Sequence, residues 1–176
     1  MLKESIWIAV ALLSAIAGWT DLKSRRIPNW LTVPGLVVGI ALNSAAYGWD
    51  GAKTSLLGAA LGLLLLLPPV MIRALGAGDW KLVGALGGFL GPHDLIIVLL
   101  ISVFVNGIIA AGMIVQKRRV RQALGNLGHM LKSLVILQLP GRDLTLDNPD
   151  SVKVPFGVAV ALAVLAYSAH HFWGVS

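Results

Sequence analysis

TSLLGAALGLLLLLPPVMI, residues 54–72, lies between Lys53 and Arg73 without one ionisable side chain. It is long enough to cross the hydrocarbon of a bilayer as a helix, for which about 17 to 25 apolar residues suffice. No face of it is polar, so the solvent it expects is lipid. Working outward, further apolar stretches run from Ser5 to Thr20, Trp30 to Tyr47, Trp80 to Leu90, Leu95 to Val115 and Val154 to Trp173. The expectation is an all-α polytopic membrane protein of about six transmembrane helices, a single membrane-embedded domain over residues 1–176. The fourth stretch is short for a full crossing at about 1.5 Å per residue, which places one of its ends below the membrane surface. Gly91-Pro92 predicts a tight turn from it into the fifth.

Composition agrees with this reading. The 176 residues are 57% hydrophobic and 12% charged, with a mean hydropathy of +0.82, which leaves too little polar surface to coat a soluble globule. There is no cysteine, which excludes disulfides, thiolate metal sites and cysteine nucleophiles. His93, His129, His170 and His171 fall in three separate regions without an H-E-x-x-H spacing, so no metal site is expected. Ala15-Ile16-Ala17 has the small-x-small form of a signal cleavage site. The region before it offers only Lys3, offset by Glu4, and equally hydrophobic stretches follow, so it reads as a retained first span.

The net charge of +6 is explained by position rather than by nucleic acid. Of the 14 Lys and Arg residues, all but Lys3 and Lys53 fall after the first, third and fifth spans. By the positive-inside bias those loops face the cytoplasm and both termini face outward, in a cell inner (plasma) membrane. The third such loop, residues 116–151, is the long one. Its Val120, Leu124, Leu127, Leu131 and Leu134 recur at steps of three or four beside Lys117, Arg118, Arg119, Arg121 and Lys132, which predicts an amphipathic helix on the inner leaflet. Gly141 to Asp150 reads as an exposed loop.

Eight residues are acidic. Glu4, Asp50 and Asp94 on one side, with Asp143, Asp147 and Asp150 in the long loop, sit where water reaches them. Asp21, at the inner end of the first span, and Asp79, opening the short fourth, approach the same edge of the helix bundle. Each alone has a structural explanation: Asp21 as a helix-end acid neutralised by Lys23, Arg25 or Arg26, Asp79 as a helix cap. Together they supply what aspartic protease chemistry needs, two carboxyls that share one proton while activating one water. Gly76-Ala77-Gly78 ahead of Asp79 lets the backbone leave helical geometry and an extended peptide come close. Asn43 and Asn106, polar groups within spans, are expected to tie helices together.

These residues carry a resemblance. Asp21 followed by Arg26-Ile27-Pro28-Asn29-Trp30-Leu31, then Gly76-Ala77-Gly78-Asp79-Trp80-Lys81-Leu82, then Val154-Pro155-Phe156-Gly157 resemble the aspartate with its I-P-N-x-L, the G-x-G-D-x-K-L and the P-[FY]-G of the type IV prepilin peptidase family of membrane aspartic proteases. The order and number of spans match too. The likeness is greatest to the short, cysteine-free branch that includes the Tad pilus and archaeal preflagellin peptidases. It implies Asp21 and Asp79 as the catalytic pair, and Gly76, Gly78 and Lys81 as motif residues on the substrate's approach. Pro155 and Gly157 are expected to set a helix start and a close packing contact. The implied activity is removal of the short basic leader from a pilin-like (prepilin) precursor at the cytoplasmic face, with that precursor and membrane lipid as partners and no cofactor. The cysteine-bearing domain with which long family members also methylate the new N-terminus is not expected. Two alternatives stand beside this reading. A signal-peptide-peptidase or presenilin-like protease shares G-x-G-D, but its P-A-L motif is absent. A transporter or pilus-assembly scaffold using the acids for ion coupling would hold them near the midplane within inverted repeats.

Overall fold

The computed structural model describes residues 2–73, 75–116 and 155–173. Within them lie four helices and no strand: α1 (Leu2–Ser24), α2 (Asn29–Met71), α3 (Ala77–Gln116) and α4 (Phe156–Trp173). The first three are long and apolar enough to cross a membrane, and α4 carries a shorter apolar run, Phe156–His170. The amphipathic helix and exposed loop expected after Gln116 lie outside the described residues.

Six separate spans are therefore not what the helices show, and the boundaries expected from hydropathy need correction. Residues 49–53 and 92–94, expected between spans, are helical. Only Gly48 (φ 63°, ψ −140°) and Gly91 (φ 74°, ψ 178°) leave helical geometry inside α2 and α3. Their left-handed φ values suit a residue without a Cβ, and helical hydrogen bonding resumes at once on either side. Each break nonetheless reverses the chain. Asn43 and Ser55 would lie about 18 Å apart on a straight helix, yet both donate to the carbonyl of Gly88, at 3.1 and 2.6 Å. A side-chain carbon placed on Gly62 would lie 2.9 Å from Val83 O and 3.2 Å from Leu95 Cδ2, which flank Gly91 on either side. So α2 and α3 are each a hairpin of two arms.

The first arm of α3 occupies the centre, with every residue from Leu82 through Phe89 buried. Both arms of α2 pack on it through glycines. Gly58 and Gly87 meet backbone to backbone, and a Cβ on Gly39 would come within 3.0 Å of Phe89. Such close approach is how helices associate where lipid removes the hydrophobic drive between them. α1 packs on α4 where Gly18 faces Ala161, and on α2 where Gly35 faces Leu13. Val10, Leu82, Leu86, Leu95, Val98, Val160 and Val164 form the sealed core. Leu12, Val37, Leu57, Leu64, Leu100 and Phe104 are each more than half exposed. In water each would forfeit about 25 cal/mol per Å² of apolar surface left unburied. Against acyl chains they cost nothing, and the chain is an integral membrane protein.

Candidate active site

The turn that leaves α1 is built by Arg25. Its amide donates to Asp21 O at 2.8 Å and its φ is +51°, the left-handed residue that ends a helix. Four residues later α2 begins, capped by Pro28, whose carbonyl accepts from the amides of Leu31 and Thr32 at 3.1 and 3.4 Å. Between them Ile27 is pinned inward and buried. It becomes the wedge around which the site is assembled.

Asp21 is only 6% exposed. Its Oδ2 accepts a 2.8 Å hydrogen bond from the amide of Gly157, and the Val158 amide also reaches the carboxyl. These are first-turn amides of α4, and that of Val158 also donates to Pro155 O at 3.2 Å just ahead of the helix. Although Asp21 ends α1, its side chain thus caps the start of α4. Gly157 has to be glycine for this approach. A Cβ there would lie 3.0 Å from both Asp21 Cβ and Asp21 Oδ2, and 3.2 Å from Ile27 Cδ1.

Asp79 is held in a different way. Gly76 is the N-cap of α3: its carbonyl accepts the amide of Trp80 at 3.2 Å, and its own amide is held by the Asp79 carboxyl. This is one half of a capping box, the acid at the third helical position holding the N-cap amide, since glycine has no side chain to return the bond. Two side chains then anchor the start of α3. Trp80 Nε1 donates to Leu63 O at 2.7 Å on the second arm of α2, and Lys81 Nζ donates to Asn29 Oδ1 at 3.0 Å on the first.

Ile27 links the two halves. A Cβ on Gly78 would meet Ile27 O at 3.1 Å and Ile27 Cβ at 3.2 Å, while Gly157 presses on the other end of the same side chain. The ends of α1, α3 and α4 therefore converge on one turn, and Asp21 lies close enough to Asp79 for its charge to act there. Of the residues singled out in the sequence, Asp21, Asp79, Gly76, Gly78 and Gly157 come together. The Lys81 ammonium goes to Asn29 instead of to the carboxyls. Gly78 does not border open space, because the room its missing side chain leaves is filled by Ile27. Asn43 ties helices, its Nδ2 donating to Gly39 O, Gly88 O and Phe89 O, whereas Asn106 Oδ1 is buried without a partner among the described residues. Sequence reasoning missed Ile27 as a wedge and the α4 amides as partners of Asp21. The available signal was Gly157 just after Pro155, a bare backbone at a helix start. Among the described residues no three His, Asp or Glu side chains converge as metal ligands.

Residues 8–111 match the type IV leader peptidase family. A prepilin leader peptidase/N-methyltransferase of Myxococcus xanthus (strain DK1622) is 34% identical over 119 residues, covering 64% of this chain and 35% of that protein. One from Aeromonas salmonicida (strain A449) is 34% identical over 115 residues, 61% of this chain and 38% of that protein. One from Xanthomonas campestris pv. campestris is 31% identical over 116 residues, 62% of this chain and 40% of that protein. The chain spans well under half the length of these relatives. No solved structure matches it. With Asp21 and Asp79 both inside a match that covers more than half of its length, the chain belongs to the type IV leader peptidase family.

Proposed function

We propose that this chain is a membrane aspartic endopeptidase that removes the short basic leader of a type IV pilin-like precursor, with Asp21 and Asp79 as its catalytic pair. The observation that carries this reading is that the helix ends bearing the two acids pack on one turn, through Gly78 and Gly157 against Ile27. In the proposed reaction one carboxylate takes a proton from water as the water oxygen attacks the scissile carbonyl. The other, protonated, gives its proton to the carbonyl oxygen. Collapse of the tetrahedral intermediate returns a proton to the leaving amine. Gly76 and Gly157 amides position the acids, and Lys81 through Asn29 fixes α3 against α2. Ion coupling by a transporter is less well served, because both acids lie at one end of the bundle.

The chain lies in the plasma membrane with the pair at its cytoplasmic edge, six arms crossing in alternation. The reversals at Gly48 and Gly91 support that count, and the grouping of Arg25, Arg26 and Arg73 on the acids' side supports the orientation. The test is purified protein in liposomes with a precursor carrying a basic leader before a hydrophobic helix. The expected result is one shortened product, formed equally well with a chelator present. A precursor left intact, or cleavage abolished by the chelator, contradicts the assignment.

A further inference from the structure

At the end of the bundle remote from the acids lies a cavity of about 310 Å³ that the proposed reaction does not use. Lys3 and Trp7 of α1 line it, and Asp21 lies 18 residues beyond Lys3 on the same helix, about 27 Å away. The other walls come from the Gly48 reversal, with Asn43, Tyr47 and Asp50, and from the Gly91 reversal, with Phe89 and Asp94. The chemistry is mixed in a specific way. One ammonium, Lys3 Nζ, sits 5.1 Å from the centre of the Tyr47 ring. Two carboxyls, Asp50 and Asp94, also line the cavity. Asp50 is exposed and its Oδ1 pairs with Lys53 Nζ at 3.4 Å, whereas Asp94 is the less exposed of the two, so the cavity presents both signs of charge. Asp94 is held in place, its Oδ1 accepting from Tyr167 Oη at 3.0 Å, and the Tyr167 ring packs 5.7 Å from that of Trp7. Ile6, Phe89 and Leu90 add apolar wall, and Thr54 adds a hydroxyl.

We propose that this cavity binds the headgroup of an ethanolamine phospholipid, its primary ammonium on the carboxyls and its phosphate on Lys3. A volume near the lower end of the ~300–1,000 Å³ range of small-molecule sites fits a headgroup rather than a peptide. An anionic headgroup would bring no cation to the Asp94 carboxylate. Choline has no N–H to donate to a carboxylate, and the Tyr47 face that would attract a quaternary ammonium is taken by Lys3. Trp49 and Tyr47, 73% and 48% exposed beside the cavity, are the aromatic residues that settle at a membrane–water interface. This puts the mouth at headgroup depth.

The experiment is native mass spectrometry of the whole protein from bilayers of equal parts phosphatidylethanolamine, phosphatidylcholine and phosphatidylglycerol. One ethanolamine lipid per chain should be retained at least fivefold over either competitor. Asp94→Asn and Lys3→Gln should each lower that preference at least fivefold. Lys3 is exposed, so its substitution leaves the fold intact, and Lys23→Gln, exposed at the opposite end of α1, should change nothing. Displacement of the lipid by soluble phosphoethanolamine would assign the site to the free zwitterion as well as to lipid. Retention without displacement would assign it to lipid alone. Equal retention of the three lipids, an unaltered preference in Lys3→Gln, or an equal loss in Lys23→Gln would overturn the proposal. The readout is independent of proteolysis, so its failure and that of the peptidase reading are distinguishable.

Discussion

Adding one methyl group at Gly157 tests whether the α4 start sets the position of Asp21. An alanine Cβ would lie 3.0 Å from Asp21 Cβ and Oδ2, tighter than the usual carbon contact of about 3.5 to 4.0 Å. The aspartate has to retreat by about half an ångström, with Ile27 Cδ1, 3.2 Å from the same carbon, blocking one direction. Catalytic groups must be held within about 0.5 Å of their productive geometry, and a 1 Å misplacement can cost about 100-fold. Gly157→Ala should therefore lower kcat about 10-fold, equivalent to about 1.4 kcal/mol in the barrier, with KM little changed. Stability should move less. Overpacking costs about 1–3 kcal/mol, and the better helix propensity of alanine returns about 1 kcal/mol. The Gly157 amide that caps Asp21 is retained, so the perturbation is one of position. Single-turnover cleavage of a precursor in liposomes, alongside a thermal melt, measures both quantities. Gly107→Ala is the control, since a Cβ there meets nothing within 4 Å among the described residues. A kcat within twofold of the unaltered protein, with the fold intact, would refute the claim that Gly157 fixes Asp21.

Asn43→Ala removes the amide that holds Gly88 O and Phe89 O and should cost about 1–3 kcal/mol of stability while activity per folded molecule is kept; matched losses of both would place Asn43 in the chemistry. Cysteines introduced singly at Ser24, Asp50 and Arg73, in a chain with none of its own, should be labelled by an impermeant reagent from one side at 24 and 73 and from the other at 50; labelling of 24 and 73 from opposite sides would make α2 a single crossing. Cleavage against pH should be bell-shaped, since a pair sharing one proton works only while singly protonated, and a profile that rises without falling would contradict the shared proton.

Much of the site was legible because charge within an apolar sequence is conspicuous. Asp21 and Asp79 stand at the edges of hydrophobic stretches, so their helix-end positions follow from hydropathy alone. The partner of Asp21 did not follow, because the Gly157 amide is 136 residues away and every helix start offers equivalent free amides. Periodicity tells which face of a helix is apolar, not which helix end docks on which acid. The expected breaks after Tyr47 and Leu90 fell at true reversals, yet the helices resume after one glycine each, a matter of φ and ψ that composition does not encode. Gly78 shows what sequence leaves out. A glycine beside a candidate catalytic acid invites a substrate explanation, and only the fold adds that Ile27 from another turn fills the space it leaves.

If Asp21 and Asp79 act as one catalytic pair, neither works alone. Cleavage of a basic-leader precursor by purified Asp21→Asn and Asp79→Asn in liposomes, each checked for folding by its melting temperature, decides this. Because neither amide can exchange a proton with water, each variant should lose at least ~100-fold in turnover, the loss typical of removing general acid–base catalysis, and remain folded. Near-normal turnover by either variant would contradict the account.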